Sequence, residues 1–418
     1  MSQPASTIHQ PSGHSSLSVD EARKYILAQL QELQGDESVA IRSSLDRCLA
    51  ETIRSKINVP SHTNSAMDGY AFLASDLPSK DNITLNVIGY ALAGHPFQSR
   101  VDSGQCVRIT TGAMLPQGCD TVVVQEEITL NDGCVVINSA PARGANVRQA
   151  GEDLSIGSVV FSPGHKLSPA DIGVLASLGV PEVRVKRRVR AAFFSTGDEL
   201  RSLGETLADG EIYDSNRYTL YSMLEKMGCE IIDMGVIADQ PDAIRKAFSE
   251  ASEIADIVLT SGGVSVGDAD YVKMVLDELG EVEFWKINMK PGRPLAYGKI
   301  GKTSFFGLPG NPVAVMVTFY QFVRPAIRTL QGEKNVEELS LCASLSHTLK
   351  KAPGRMEFQR GIFHRNDKGE LIVESTGRQG SGMLNSMSRA NCFMVLNETQ
   401  SNLQAGDTVN IQPFVNFF

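Results

Sequence analysis

No pair of cysteines with CxxC spacing occurs in this chain. Its seven cysteines, Cys48, Cys106, Cys119, Cys134, Cys229, Cys342 and Cys392, are scattered. That speaks against zinc and against a disulfide framework, and it fits a reducing cytoplasm. No apolar run reaches ~18 residues, so no membrane-spanning helix is expected. Positive charge is scarce: the net charge of −9 argues against nucleic acid as a bulk partner. One basic run, Arg184 to Arg190, reads as a solvated strand at a domain boundary rather than as an anion patch. Residues 1–16, MSQPASTIHQPSGHSS, lack the apolar stretch of a signal peptide and read as a disordered tail. No repeat of fixed period is found. The rest is ordinary for a globular protein, with 42% hydrophobic and 21% charged residues. A length of 418 residues is enough for about two to four domains.

Taken in order, the chain opens with a helix that Ser18 caps, with Glu21 completing a capping box; it is expected to run from Val19 to about Gly35. A second helical piece is expected from Ala40 to Ala50. Asn58 to Phe72, NVPSHTNSAMDGYAF, holds turn chemistry around Asp68-Gly69. From Asn82 to Asn138 short β-branched runs are broken by Gly, Pro, Asn and Asp, which predicts a small β domain. Ser168 and Pro169 open a helix that Gly179 closes. From Arg190 strands and helices alternate up to Leu330, the pattern of a mostly parallel α/β domain. Its helices are expected from Asp214, from Pro241, over Tyr271 to Leu279, and over Val313 to Leu330. Residues 337–418 return to β patterning and predict a small antiparallel barrel or sandwich.

The most informative stretch is Ala255 to Tyr271, ADIVLTSGGVSVGDADY. A buried strand is followed by the loop Ser261, Gly262, Gly263, Val264, Ser265, Val266 and Gly267. In open α/β sheets such loops at strand carboxyl ends receive ligands. Their glycines let backbone N–H groups approach an oxyanion. Asp268 and Asp270 repel a phosphate unless a cation such as Mg²⁺ lies between them. A purely structural turn with two helix-capping aspartates is the simpler alternative.

NSAMDGYA, GEDL, STGDEL, IYDSN, TSGGVSVGDADYV, MKPGRP and GLPGNPVA occur in this order. Over Leu17 to Phe418 the chain thereby resembles the bacterial molybdopterin molybdenumtransferases. The resemblance implies a multidomain α/β plus β chain. Its expected parts are a discontinuous elongated domain at 17–57 and 143–186 and a small β domain at 58–142. A three-layer α/β/α molybdopterin-binding domain at 187–332 and a C-terminal β barrel at 333–418 complete it. It implies insertion of molybdate into adenylyl-molybdopterin with release of AMP, assisted by Mg²⁺. A homodimer and transient contact with molybdopterin adenylyltransferase are implied too.

Carried over position by position, Asp68, Glu199, Asp239, Asp270, Lys286 and Lys290 are the expected catalytic residues. Thr111, Asp153, Ser261, Gly262, Gly263, Ser265, Gly267, Arg293, Pro309, Asn311, Arg360 and Ser381 are expected to bind substrate. Glu199, Asp239, Asp268 and Asp270 are the candidate metal ligands. Asp268 stands where the family often has Glu, and Arg293 where it often has Lys. Each residue also has a plain structural reading: Asp68 as an Asx turn, Asp239 as a helix cap, Arg360 as a solvated strand residue. Two rival functions remain open on sequence. One is the adenylyltransferase that shares the α/β domain; the other is a non-enzymatic scaffold.

Overall fold

The computed structural model describes residues 16–77, 82–138, 141–263, 271–334 and 336–414. Two compact units are present, one formed by Ser38–Val185, the other by Met1–Glu37 together with Lys186–Phe418.

Helix α1, Val19–Gln29, carries the expected reciprocal cap between Ser18 and Glu21. It stops short of Gly35 because Leu30 turns into extended backbone and packs into the core of the larger unit. Tertiary burial there overrides helix propensity.

In the Ser38–Val185 unit, residues 40–50 are not the expected helix. Only a single 3₁₀ turn forms, at Ile41–Ser43. The backbone N–H groups of Asp46, Leu49 and Ala50 donate instead to the carbonyls of Leu167, His165 and Arg184. Long-range pairing satisfies the same donors a helix would have used. Six strands follow: β1 Gly69–Phe72, β2 Ile83–Ala91, β3 Gln105–Ile109, β4 Thr121–Val124, β5 Ile128–Asn131 and β6 Cys134–Ile137. They form one sheet in the order β4-β1-β3-β2-β6-β5, antiparallel except between β2 and β3. Gly69 begins β1 and is required by proximity, since a β-carbon there falls 1.9 Å from the Val123 carbonyl oxygen. Helix α2, Pro169–Ser177, has its N-cap at Ser168, reciprocated by Asp171.

The larger unit is built on a six-stranded sheet. Its strands are β7 Arg190–Thr196, β8 Glu230–Ile237, β9 Ile257–Ser261, β10 Glu281–Lys286, β12 Pro294–Ile300 and β13 Thr303–Leu308, with the short strand β11 Met289–Lys290 between. The order is β8-β7-β9-β13-β12-β10, parallel through the first four strands and antiparallel through the last two. One face is covered by α1, by α3 Ser215–Lys226 and by α6 Pro312–Thr318 with α7 Arg324–Leu330. The other is covered by α4 Pro241–Ile254 and α5 Tyr271–Leu279. This is the expected three-layer arrangement. On the second face Phe248 stands edge-on to Phe194 and Phe305, at 5.1 and 5.3 Å between ring centroids. Such pairs add about 0.5–1.5 kcal/mol each beyond burial.

The long helix expected over Val313–Leu330 is broken by a π segment, Phe319–Val323. Its Tyr320 packs edge-on against Phe393 and donates to the Pro413 carbonyl. The wider turn thereby seats the helix on the C-terminal barrel. That barrel comprises β14 Leu341–Leu345, β15 Met356–Arg365, β16 Leu371–Ser375, β17 Cys392–Leu396 and β18 Thr408–Pro413. It closes through the β15–β17 pairing and is antiparallel except between β14 and β16. Strand β11 extends it, pairing parallel to β15. The basic run ends in internal partners, with Arg187 bidentate to Asp256 and Arg190 paired to Glu230.

Gly69→Ala is expected to cost about 3 kcal/mol or more, because the clash is with backbone and no side chain can yield. Denaturant unfolding followed by circular dichroism measures it; wild-type stability in this variant contradicts the packing described.

Candidate functional site

A cleft of about 570 Å³ opens in the larger unit. Four short segments line it. The loop after β9 contributes Gly262 and Gly263, the β11–β12 segment contributes residues 289–294, the turn before α6 and its first turn contribute Pro309, Gly310, Asn311 and Ala314, and the barrel contributes Arg355, Gln379, Gly380 and Ser381. Seven expected site residues therefore share one hollow: Gly262, Gly263, Lys290, Arg293, Pro309, Asn311 and Ser381.

The glycines are there for geometry. Gly263 has a positive φ of 66°, and a β-carbon on it meets Val272 Cγ2 at 2.4 Å. The Gly262 N–H donates to the Leu308 carbonyl, which fixes the loop to β13. Asn216, from the IYDSN motif, donates its amide to the Gly310 carbonyl at 2.7 Å and holds the turn before α6. That helix start is less open to an anion than sequence suggests. Pro312 has no N–H, and the Val313 N–H donates to the Ser381 carbonyl at 3.0 Å. The contact clasps the barrel loop to the α/β domain.

Arg360, an expected substrate-binding residue, is not among those that line the cleft. It is not a solvated strand residue, being only 1% exposed. Its Nε donates to Ser386 Oγ and its Nη2 to the Gly380 carbonyl, each at 3.0 Å. Its backbone N–H donates to Gln379 Oε1 at 2.8 Å. Among the described residues no carboxylate pairs with it, and burial alone pulls the guanidinium down to about 10. A buried cation bonded to the loop that walls the cleft sets positive charge behind that wall.

Lys290 reaches Glu357 Oε1 at 3.3 Å. Ser261 is buried, its hydroxyl 3.2 Å from that of Ser195. Lys286 is exposed on the edge strand β10. Glu199 and Asp239 follow β7 and β8, neighbouring strands of the sheet. Burial, followed by the negative charges of Asp198 and Glu199, holds the Asp239 carboxyl above its ordinary range. Among the described residues no group of three or more His, Cys, Asp or Glu stands ready to hold a metal. Ser265, Gly267, Asp268 and Asp270 lie outside the described residues.

Asp68, Thr111 and Asp153 belong to the Ser38–Val185 unit. Both the backbone N–H and the hydroxyl of Thr111 donate to Asp68 Oδ1, at 2.7 and 2.8 Å. These bonds, backbone first, hold the exposed carboxyl below its ordinary range. Asp153 is exposed, with its own N–H on the Val59 carbonyl. Sequence reasoning overlooked Arg355 and Gln379. The only signal was their nearness in sequence to Arg360 and Ser381. Burial pushes the Cys106, Cys119, Cys229 and Cys392 thiols up to about 12, which leaves them protonated and unreactive at neutral pH.

Three family models match the chain. They are the MoeA N-terminal region (domain I and II) over residues 17–179, a probable molybdopterin binding domain over 192–329, and the MoeA C-terminal region (domain IV) over 343–414. The chain is 46% identical over 402 residues to the molybdopterin molybdenumtransferase of Haemophilus influenzae, covering 95% of this chain and 98% of that one. It is 36% identical to the protein of the same name from Nostoc sp., covering 92% and 90%. Against gephyrin of Dictyostelium discoideum it is 34% identical, over 94% of this chain and 61% of gephyrin. The crystal structure of the molybdopterin biosynthesis MoeA protein from Pyrococcus horikoshii aligns with a TM-score of 0.84 at 29% identity, covering 96% and 100%.

Thr111 favours the ionised form of Asp68. The stability this contributes is present above the ordinary carboxylate pKa and is lost as pH falls through the lowered value. Thr111→Val removes the hydroxyl donor, so a carbon-13 NMR titration should find the Asp68 pKa moved up toward its ordinary value. An unmoved titration contradicts the contact.

Proposed function

The chain belongs to the MoeA family and is a transferase of molybdenum cofactor biosynthesis, and on that basis we propose that its cleft inserts molybdate into adenylyl-molybdopterin with release of AMP. The observation that carries this reading is the buried, carboxylate-free guanidinium of Arg360 behind the Gln379–Ser381 wall. Lys290 and Arg293 add positive charge at the cleft surface, and Gly263 and Asn311 add polar backbone and amide groups. Together they suit a substrate pair in which both members are oxyanions. Attack of water on the phosphoanhydride frees AMP, and molybdenum binds the two dithiolene sulfurs as their protons leave with one molybdate oxygen as water.

Glu199 and Asp239, which follow neighbouring strands, fit a divalent cation, because burial and then the negative charges of Asp198 and Glu199 hold the Asp239 carboxyl above its ordinary range. With Asp268 and Asp270 they would hold Mg²⁺. When bound, the ion neutralises charge on the phosphoanhydride oxygens. The same reading includes a homodimer, a transient contact with molybdopterin adenylyltransferase and a cytoplasmic location. The free state of all seven cysteines supports the last. Among the described residues no helix is long and apolar enough to cross a membrane.

Release of AMP from adenylyl-molybdopterin, measured with and without molybdate and Mg²⁺, tests the proposal. Release that needs both supports it; release indifferent to molybdate contradicts it. Arg360→Met should abolish the molybdate-dependent part while leaving thermal stability unchanged or raised, since it removes an uncompensated buried charge. Full activity in that variant removes the carrying observation.

Asp239 is held above its ordinary range, so its ionised form is disfavoured by folding and the penalty grows as pH rises through the raised value. Bound Mg²⁺ relieves it. At neutral pH Mg²⁺ should therefore raise Tm in the wild type and clearly less in Glu199→Gln. Equal shifts argue against these two acids as ligands.

A further inference from the structure

Arg355 has no role in the reading above, yet it lines the cleft. It sits on the turn 352–355 that leads into β15. Among the described residues its guanidinium has no carboxylate partner. Lys290, by contrast, lies against Glu357, which is 4% exposed and also accepts from Gln359 at 2.8 Å. Part of the Lys290 charge is therefore already balanced, whereas that of Arg355 is not.

The turn that presents Arg355 is held from several sides. Lys351 is 4% exposed, and its ammonium donates to three carbonyls: Ala352 at 3.2 Å, Arg355 at 3.0 Å and Gln400 at 3.1 Å. All three of its donors are thereby used. The Gly354 N–H donates to the Glu398 carbonyl at 2.8 Å, and the Met356 N–H to the Asn288 carbonyl at 2.9 Å. Gly354 has a φ of 103°, which only glycine adopts readily. Burying an ammonium is costly, and here it fixes the backbone on either side of one exposed arginine. Fixing the backbone in advance lowers the entropy lost when that arginine closes on a ligand.

We propose that Arg355 is a tetrahedral-oxyanion-binding residue of the cleft and that Lys351 is the positioning residue that aims it. The inference rests on the oxyanion reading of the cleft given above. A phosphate of the nucleotide-capped pterin and molybdate share the chemistry that a guanidinium fork recognises.

Calorimetric titration of the full chain with molybdate alone and with inorganic pyrophosphate alone tests this and separates the two sources. Arg355→Ala should weaken one or both probes about tenfold or more, and Arg355→Lys should recover part of the loss. A loss confined to molybdate assigns the metal-oxyanion position, and one confined to pyrophosphate assigns the phosphate position. Lys351→Met should weaken the same probe, and adding it to Arg355→Ala should cause no further loss, because its effect passes through the arginine. If the wild type binds a probe and Arg355→Ala binds both as the wild type does, the inference is overturned and the cleft reading stands. If the wild type binds neither, both fall. Should Lys351→Met fail to fold, the two Arg355 variants, exposed and outside the core, still decide the matter.

Discussion

A seam two residues long governs the larger unit. Met289 and Lys290 leave the α/β sheet and pair parallel to Met356 and Glu357 at the start of a barrel strand. Without that pairing the β11–β12 connection and the barrel have no common wall, and the cleft between them has no floor. Two further contacts join the barrel to the α/β domain, the Val313 N–H on the Ser381 carbonyl and Tyr320 on Phe393 and Pro413. The hydrophobic core runs through this junction, with Phe358, Phe393 and Phe414 in the same cluster as the sheet residues Phe306 and Leu308. The barrel and the α/β domain therefore meet through packed side chains as well as hydrogen bonds, and the cleft geometry is set by that contact.

Charge is distributed unevenly around this hollow. Two cations, Arg360 and Lys351, are buried and held by neutral oxygens. One, Lys290, is balanced by a buried carboxylate. Away from the residues that line it, burial and then the negative charges of Asp198 and Glu199 hold the Asp239 carboxyl above its ordinary range. Burying uncompensated charge lowers stability, which makes the two buried cations, Arg360 and Lys351, costly features of the barrel side of the cleft.

Much of the fold was legible in the sequence because its local signals agree with its packing. Helix α4 buries Ile244, Ala247, Phe248 and Ala251, the stripe its spacing predicts, and α5 runs from Tyr271 to Leu279 as expected. The failures lie where partners distant in sequence decide. Residues 40–50 gave up helix for pairing with Leu167, His165 and Arg184, and the last long helix widened to seat Tyr320. The glycine and proline motifs pointed to the cleft because positive φ and close backbone approach leave a mark in composition. Burial of Arg360 left no such mark, since alternation along one strand does not reveal a barrel closing over it. Arg355 and Gln379 were equally invisible, being brought to the cleft by a seam that no motif announces.

Diffraction from crystals soaked in molybdate, collected at the molybdenum absorption edge, addresses the core of this account. Anomalous density in the hollow between Lys290 and Arg293 on one side and Gln379 to Ser381 on the other is the expected result. A fully occupied molybdenum position elsewhere on the chain, with that hollow empty, contradicts it.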